Sequence, residues 1–399
     1  MSDLYLTADE AASELGISVK SLYAYVSRKR IRTTNGGGSR SKYYWAEDIA
    51  RVKRGERLIV PDSILVPTSD ITSLGDKGPI YRGRSAIEMA ESETLESTAA
   101  HLWTVPEKEA FLSPPPAATG SMKALLKAAS GLSIIERAAC MLPLLEHASS
   151  TSHDISIRGY GQSGASILRW FAALMLGEQS ASDEAIHLQL SKSSDRPIEF
   201  ADILRRLLVL AADHELSPST YAVRAAANTG VTPHQAIAVG LIASQGRRLP
   251  GGRTYLISRL VNEIIVAEAP KDVILRYYRD NEDLPGFGDG VYPHEDPRAT
   301  AIAETLAVRM NDDIAVRRML AAAMAAKDLF GKGPDFLVLM ILIEQLVGLT
   351  GNKGSLMLLA RISGWIAHAS EQSRSGPVIR IRAAYTGRSD RAQQQTEAG

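Results

Sequence analysis

Proton transfer near neutral pH calls for carboxylates and imidazoles, and carboxylate recognition favours arginine, whose planar fork donates two parallel hydrogen bonds. One stretch of the 399-residue chain gathers all of these types. "PGFGDGVYPHEDPRA", Pro285–Ala299, packs a glycine-rich turn, acidic residues, one histidine and one arginine into fifteen residues. A second stretch, "AADHE", sets His214 between two acids. Either these segments carry a reaction, or they keep the binding half of a site whose reactive groups have changed.

Positioning such groups takes a large core, and a chain of this length with 45 % apolar residues can bury one across two or three domains. From about residue 120 onward the apolar pattern is helical. Ile203, Leu204, Leu207 and Leu208 form a stripe behind Arg205 and Arg206, and Ile302, Leu306, Met310 and Ile314 recur every fourth residue. No run of alternating strands is visible, so a mainly α architecture is expected, with loops at 113–121, 245–252 and 284–290. The most apolar segment, "FLVLMILIEQLVGL" at 336–349, is interrupted by Glu344 and Gln345 and falls short of the ~20 residues that span a bilayer. It reads as core, and no membrane partner is expected. A single cysteine, Cys140, cannot form an intrachain disulfide, and "MSDLYLTADE" lacks a secretion pattern, which points to the cytoplasm. The tail 388–399 reads as disordered.

Charge divides the chain. Residues 18–57 hold eleven Lys and Arg against three acids, a net +8 that leaves −8 on the remainder. A basic head on an acidic body suggests a polyanion-binding module fused to something else. In the head, Thr7 and Glu10 have the form of a capping box, Ala11, Ala12 and Leu15 give an apolar face, and Gly16 stops a first helix. Ser18 can cap a second helix with Leu22 and Val26 on one side and Lys20, Ser21 and Tyr25 on the other. "NGGGSRSKYYW" then sets glycines, Arg40 and Lys42 between short strands. Periodicity alone leaves open a small hairpin with a solvated basic face. Residues 4–54 resemble a winged helix-turn-helix of the MerR or excisionase type. That resemblance implies a DNA-binding domain over 1–57, with Lys20, Ser21, Tyr25, Arg28, Arg40 and Lys42 toward DNA, followed by a linker at 58–69.

The body carries a second resemblance. "DKGPIYRGRSAIEMA", "LAADHELSPSTYAVRAAANTG", "GRRLPGG", "LPGFGDGVYPHEDPRA", "GPDFLVLMIL", "ARISGWIAHASEQ" and "RIRAAYTG" resemble, in order and spacing, the citrate synthase family over roughly 70–387. The resemblance implies an all-α, dimeric citrate synthase fold, a large helical domain with a small domain inserted at about 250–340. It also implies a CoA thioester as substrate or ligand, with no metal and no other cofactor. Asp335 then matches the base that deprotonates the acyl methyl. His214, Arg298, Arg361 and Arg380 match the carboxylate-binding set, Arg380 reaching across the dimer, and Pro285, Gly286, Phe287 and Gly288 match the turn that packs on CoA.

Two positions depart from the family. Pro250 stands where the histidine that donates to the enol belongs, and Asp289 where the histidine that polarises the oxaloacetate carbonyl belongs. Proline has no donor, and an ionised aspartate only accepts, so both roles are vacated unless Asp289 is protonated. Arg247, Arg248 or His294 are the candidates to replace them. Losing one oxyanion donor costs about 10²–10³ in rate. The resulting expectation is a homodimeric regulator that binds an oxaloacetate- or citrate-like carboxylate or an acyl-CoA and contacts DNA through its head, with weak or no synthase activity. The alternatives are a working citrate synthase or related acyl-CoA condensing acyltransferase with altered donors, and an inert scaffold.

Overall fold

The computed structural model describes residues 5–29, 31, 33–35, 42–53, 68–249, 253–281, 283–288, 291–292, 295–349 and 353–375. They fall into two compact units, one within Met1–Thr68 and one within Ser69–Ile379.

The small unit runs β1 (Tyr5–Leu6), α1 (Ala8–Leu15), α2 (Val19–Lys29), β2 (Thr33–Asn35), β3 (Lys42–Trp45) and α3 (Ala46–Lys53). Local chemistry starts and stops its helices. The Thr7 hydroxyl accepts the Glu10 N–H at 3.3 Å while the Glu10 carboxylate accepts the Thr7 N–H at 2.8 Å, the capping box expected for α1. Gly16, at φ +66°, closes α1, and Ser18 accepts the Ser21 N–H at 3.1 Å. The strands form an antiparallel sheet with β3 between β1 and β2. Ala11, Ala12, Leu22, Ile31, Tyr44 and Ile49 make a small core against which Leu15 and Val26 pack. Lys20, Ser21 and Lys42 are exposed, whereas Arg40 and the side chains of Tyr25 and Arg28 lie outside the described residues.

The larger unit is mainly helical around one continuous apolar core. Side-chain oxygens of Ser133, Ser156, Ser217, Thr232 and Asp313 accept the orphan N–H groups that open their helices, contacts worth about 1 kcal/mol each. The Ile203–Leu208 stripe is buried as expected, and Arg205 donates to the carbonyls of Ala90, Glu91 and Glu93, where a preceding helix ends. The four-residue repeat from Ile302 is cut short. Ile302, Leu306 and Met310 are buried, but that helix ends at Arg309, and Ile314 opens the next one with half its surface exposed. Asp313 causes the break by accepting the Ala315 and Val316 N–H groups, which caps a new helix instead of continuing the old one.

A short antiparallel sheet also stands where only helix was expected: β4 (Thr72–Gly75), β5 (Gly78–Tyr81) and β6 (Arg84–Ser85). Asp76 and Lys77 form the two-residue loop between Gly75 and Gly78. Strands of two to four residues are too short to show a period of two. The sheet matters because it carries Tyr81, fully buried, toward the segment that holds His214. No helix among the described residues is long and apolar enough to cross a membrane.

Candidate active site

The helix Pro197–Ala211 delivers Asp213 and His214 just beyond its end. Tyr81 fixes that end, its hydroxyl lying 3.1 Å from the Leu210 carbonyl, 3.0 Å from the Asp213 carbonyl and 3.3 Å from the Asp213 N–H. Glu215 follows at φ +56°, a left-handed conformation that costs a non-glycine residue about 1–2 kcal/mol and turns the chain sharply after His214. On the other side stands the helix Ser355–Ser373, almost wholly buried. Gly364 lets it approach, donating its N–H to the Ala212 carbonyl at 3.0 Å.

Two arginines flank the pair. Arg298, in the first turn of the helix Pro297–Arg309, grips Asp296 through Nε at 3.0 Å and Nη2 at 2.7 Å, both side chains buried. Burial opposes its charge, but Asp296 outweighs burial and keeps the guanidinium firmly protonated, above the ordinary arginine value. Its Cζ lies 4.8 Å from the centre of the Phe336 ring and 5.8 Å from that of Tyr292. Arg361 is also buried, with few oxygen partners among the described residues. Its Nη1 is 3.9 Å from Asp213 Oδ1, beyond hydrogen-bond range, and among the described residues its Nη2 meets the Met357 sulfur, at 3.7 Å. Burial and the neighbouring Arg298 charge push it below the usual arginine value despite Asp213.

His214 sits between these charges. Burial first, then Arg298 and Arg361, press its pKa down to about 2, so the imidazole is neutral at physiological pH. Its Nε2 lies 2.9 Å from the Tyr292 hydroxyl. Behind it a polar chain runs into the core. His368 Nε2 meets Asp213 Oδ2 at 3.1 Å, and His368 Nδ1 faces Arg224 Nη1 at 3.2 Å. Arginine only donates, so Nδ1 accepts and the Nε2 proton points to Asp213. Burial would raise Asp213, yet His368 and Arg361 hold it down at about 2. Arg224 continues to Gln372 at 2.9 Å and to Glu371, which accepts the Asp70 N–H at 3.0 Å.

Asp335 begins the helix Phe336–Leu346, but its carboxylate does not cap it. Its N–H donates to the Gly286 carbonyl at 2.8 Å, and the Gly288 N–H donates to Gly333 at 3.1 Å, so the turn Leu284–Gly288 is clipped to the segment preceding that helix. Gly286, at φ +82°, is required twice over, since a Cβ there would lie 2.3 Å from Val338 Cγ2. Phe287 is buried and Gly288 exposed.

The expected residues therefore divide. His214, Arg298 and Arg361 come together, and Phe336, next in sequence to Asp335, lies against the Arg298 guanidinium. Arg247 and Arg248 are exposed, contrary to the idea that either turns inward. Pro250, Asp289, His294 and Arg380 lie outside the described residues. Sequence reasoning missed Tyr292, Arg224 and the Asp213–His368 pair. Arg361 and His368, seven residues apart and thus on one helix face, offered a signal. A surface cleft of about 640 Å³ lined by Arg82, His101 and Glu107 includes none of the cluster. Among the described residues no group of three or more His, Cys, Asp or Glu is gathered as a metal would require.

The cluster thus gathers two buried guanidiniums and a neutral imidazole. The chain is 24 % identical to citrate synthase 2 of Bacillus subtilis over 355 residues, 82 % of this chain and 95 % of that protein. It is 25 % identical to the 2-methylcitrate synthase of Shewanella oneidensis over 341 residues, covering 79 % and 90 %. Its fold matches citrate synthase of Thermotoga maritima with a TM-score of 0.65 at 19 % identity, covering 83 % and 96 %. It also matches the Thermoplasma acidophilum citrate synthase, solved as a ternary complex with carboxymethyl coenzyme A and oxaloacetate, with a TM-score of 0.67 at 18 % identity, covering 82 % and 95 %. Residues 61–382 match the family model for the citrate synthase C-terminal domain, and the chain belongs to the citrate synthase family.

Proposed function

We propose that the chain is a condensing acyltransferase that joins an acyl-CoA to a 2-oxo acid bearing a second carboxylate, in the manner of a citrate or 2-methylcitrate synthase. The observation that carries this reading is Arg361, a buried guanidinium short of oxygen partners among the described residues, beside neutral His214 and Arg298. Such a group is completed by a carboxylate ligand, since burying an unpaired charge is costly. Relatives named as synthases favour this reading over a regulator without activity.

In this reading Arg298, Arg361 and His214 hold the acceptor's carboxylates, and Arg380 from a second copy completes the set, which makes the homodimer the working unit. Asp335 takes the proton from the acyl methyl, and the turn Pro285–Gly288 carries the CoA. Purified protein is expected to release thiol from acetyl-CoA or propionyl-CoA only when oxaloacetate is present, and Asp335→Asn is expected to abolish release while leaving the oxaloacetate-induced rise in Tm. No release above that variant would sink the enzyme reading and return the pocket to a sensor.

A second reading concerns the small unit, which supports a winged helix-turn-helix that binds DNA. Two helices joined at Gly16, the antiparallel sheet after them, and exposed Lys20, Ser21 and Lys42 on a segment of net +8 favour it. Duplex binding is expected to weaken steeply with salt and to fall in a Lys20→Glu/Lys42→Glu variant. Binding equal to that variant at every salt concentration would exclude it.

A further inference from the structure

Arg298, Arg224 and Arg361 are each matched by a carboxylate, but not in the same way. Arg298 grips Asp296 through hydrogen bonds of 3.0 and 2.7 Å, and Arg224 is bonded to Glu371. Arg361 faces Asp213, whose Oδ1 stands 3.9 Å from its Nη1, an ion pair without a hydrogen bond. The Asp213 carboxylate is completely buried, so its charge acts through little water. Burial works against that charge, yet His368 and Arg361 keep it ionised.

The spacing is held from both sides. His368 Nε2 holds Asp213 Oδ2 at 3.1 Å, and Arg224 fixes the imidazole from its far side. Gly364, three residues after Arg361 and on the same helix face, leaves the room that Oδ1 occupies, since a Cβ there would lie 2.1 Å from it. Among the described residues Oδ1 has no hydrogen-bond donor. A carboxylate oxygen set beside a guanidinium in this way offsets its charge without taking up its N–H groups.

We propose that Asp213 is a resident counter-ion that keeps simple anions out of the pocket: it offsets the Arg361 charge, so that a lone carboxylate gains too little to stay, and leaves the Arg361 N–H groups to a ligand with two carboxylates. The proposal rests on the reading above that the acceptor is a 2-oxo acid bearing a second carboxylate. An anion beside Arg361 meets the attraction of the guanidinium and the repulsion of Asp213 together. Hydrogen bonds must then supply the affinity, and a single carboxylate exchanges those for similar ones with water. A dicarboxylate reaches Arg298 with its other end for one loss of translational freedom, an advantage that a monoanion lacks.

Asp213→Asn tests this, because the amide keeps the volume and an oxygen for the His368 N–H while removing the charge. The readouts are the Kd of acetate and of oxaloacetate for the full-length protein at low ionic strength, and Tm with and without acetate. In the wild type acetate is expected to leave Tm unmoved and not to compete with oxaloacetate. In Asp213→Asn, Tm falls because Arg361 is buried without its partner, and acetate restores much of the fall. The acetate Kd drops about tenfold or more, the size of effect that one neighbouring charge exerts on another, and acetate now competes with oxaloacetate. An unchanged acetate Kd, or a lowered Tm that acetate does not restore, overturns the proposal, since that is the pattern of a residue kept only for packing. A second variant decides the matter even if the first folds poorly. Asp213→Asn and Arg361→Met each leave a buried charge unmatched, whereas the two together leave none, so the double variant is expected to melt above both single ones. A double variant no more stable than either single one overturns the pairing. A wild type that does not bind oxaloacetate refutes the condensing reading, while acetate rescue and the order of melting still decide for or against the counter-ion.

Discussion

Around Asp213 the geometry is set by side chains, whereas the turn Leu284–Gly288 is set by main chain. Tyr81, His368, Arg361 and Gly364 converge on Asp213 from a strand and a long helix, each pair more than a hundred residues apart in sequence. The turn instead exchanges backbone hydrogen bonds with Gly333 and Asp335, and its tight spots are glycines. A side-chain network fails when any member shifts, because each buried polar group depends on the next. A main-chain clip asks little of the side chains it carries. The half of the site around Asp213 is accordingly the less tolerant of change, and the half at the turn is limited by steric room.

The largest expected effect lies in the network. A Cβ on Gly364 would sit 2.1 Å from Asp213 Oδ1 and 2.6 Å from its Cγ, so Gly364→Ala must separate the helix from Asp213. The Gly364–Ala212 and His368–Asp213 bonds go with it. Breaking a buried charged network costs about 3–5 kcal/mol. Thermal melting should show a drop of that size together with loss of the oxaloacetate-induced stabilisation. A variant within about 1 kcal/mol of wild type would break the contrast between the two halves.

A smaller effect is expected at the turn. Gly286→Ala meets Val338 Cγ2 at 2.3 Å and must hold φ at +82°. Left-handed strain of about 1–2 kcal/mol adds to overpacking of about 1–3 kcal/mol. CoA affinity should fall while the oxaloacetate-induced Tm rise survives. Gly286→Ala/Val338→Ala should recover the steric part of the stability and leave the backbone strain, which separates the two causes.

What could be read from the sequence follows the same division. Capping is local, so Thr7 with Glu10, Gly16 and Ser18 announced the helices of the small unit. The Ile203–Leu208 stripe is likewise a local period. His214, Arg298 and Arg361 were legible through resemblance, but their surroundings were not. Asp213 meets His368 across 155 positions, and His214 meets Tyr292 across 78. No local pattern encodes such pairs. The break at Asp313 shows the opposite failure, a regular apolar period that one capping carboxylate overrides.

Glu344 tests whether the two halves are joined. It lies on the helix that Asp335 begins, buried, and its carboxylate accepts the Gly354 N–H at 2.7 Å and the Leu356 N–H at 2.9 Å, at the start of the helix that carries Arg361. Burial pushes its pKa up from 4.5 to about 8, although the main-chain donors pull the other way. The folded chain therefore keeps the proton that the unfolded chain loses above pH 4.5, so stability is greatest below that value and declines until about pH 8. The expected slope is on the order of 1 kcal/mol per pH unit between those values. Melting curves from pH 5 to 9 should fall and then flatten for the wild type, and Glu344→Gln should remove most of the fall. Parallel curves for the two proteins would mean that the carboxylate is ionised throughout. The start of the Arg361 helix would then be held by a full charge, and the link between the halves would be electrostatic, not a protonated hydrogen bond.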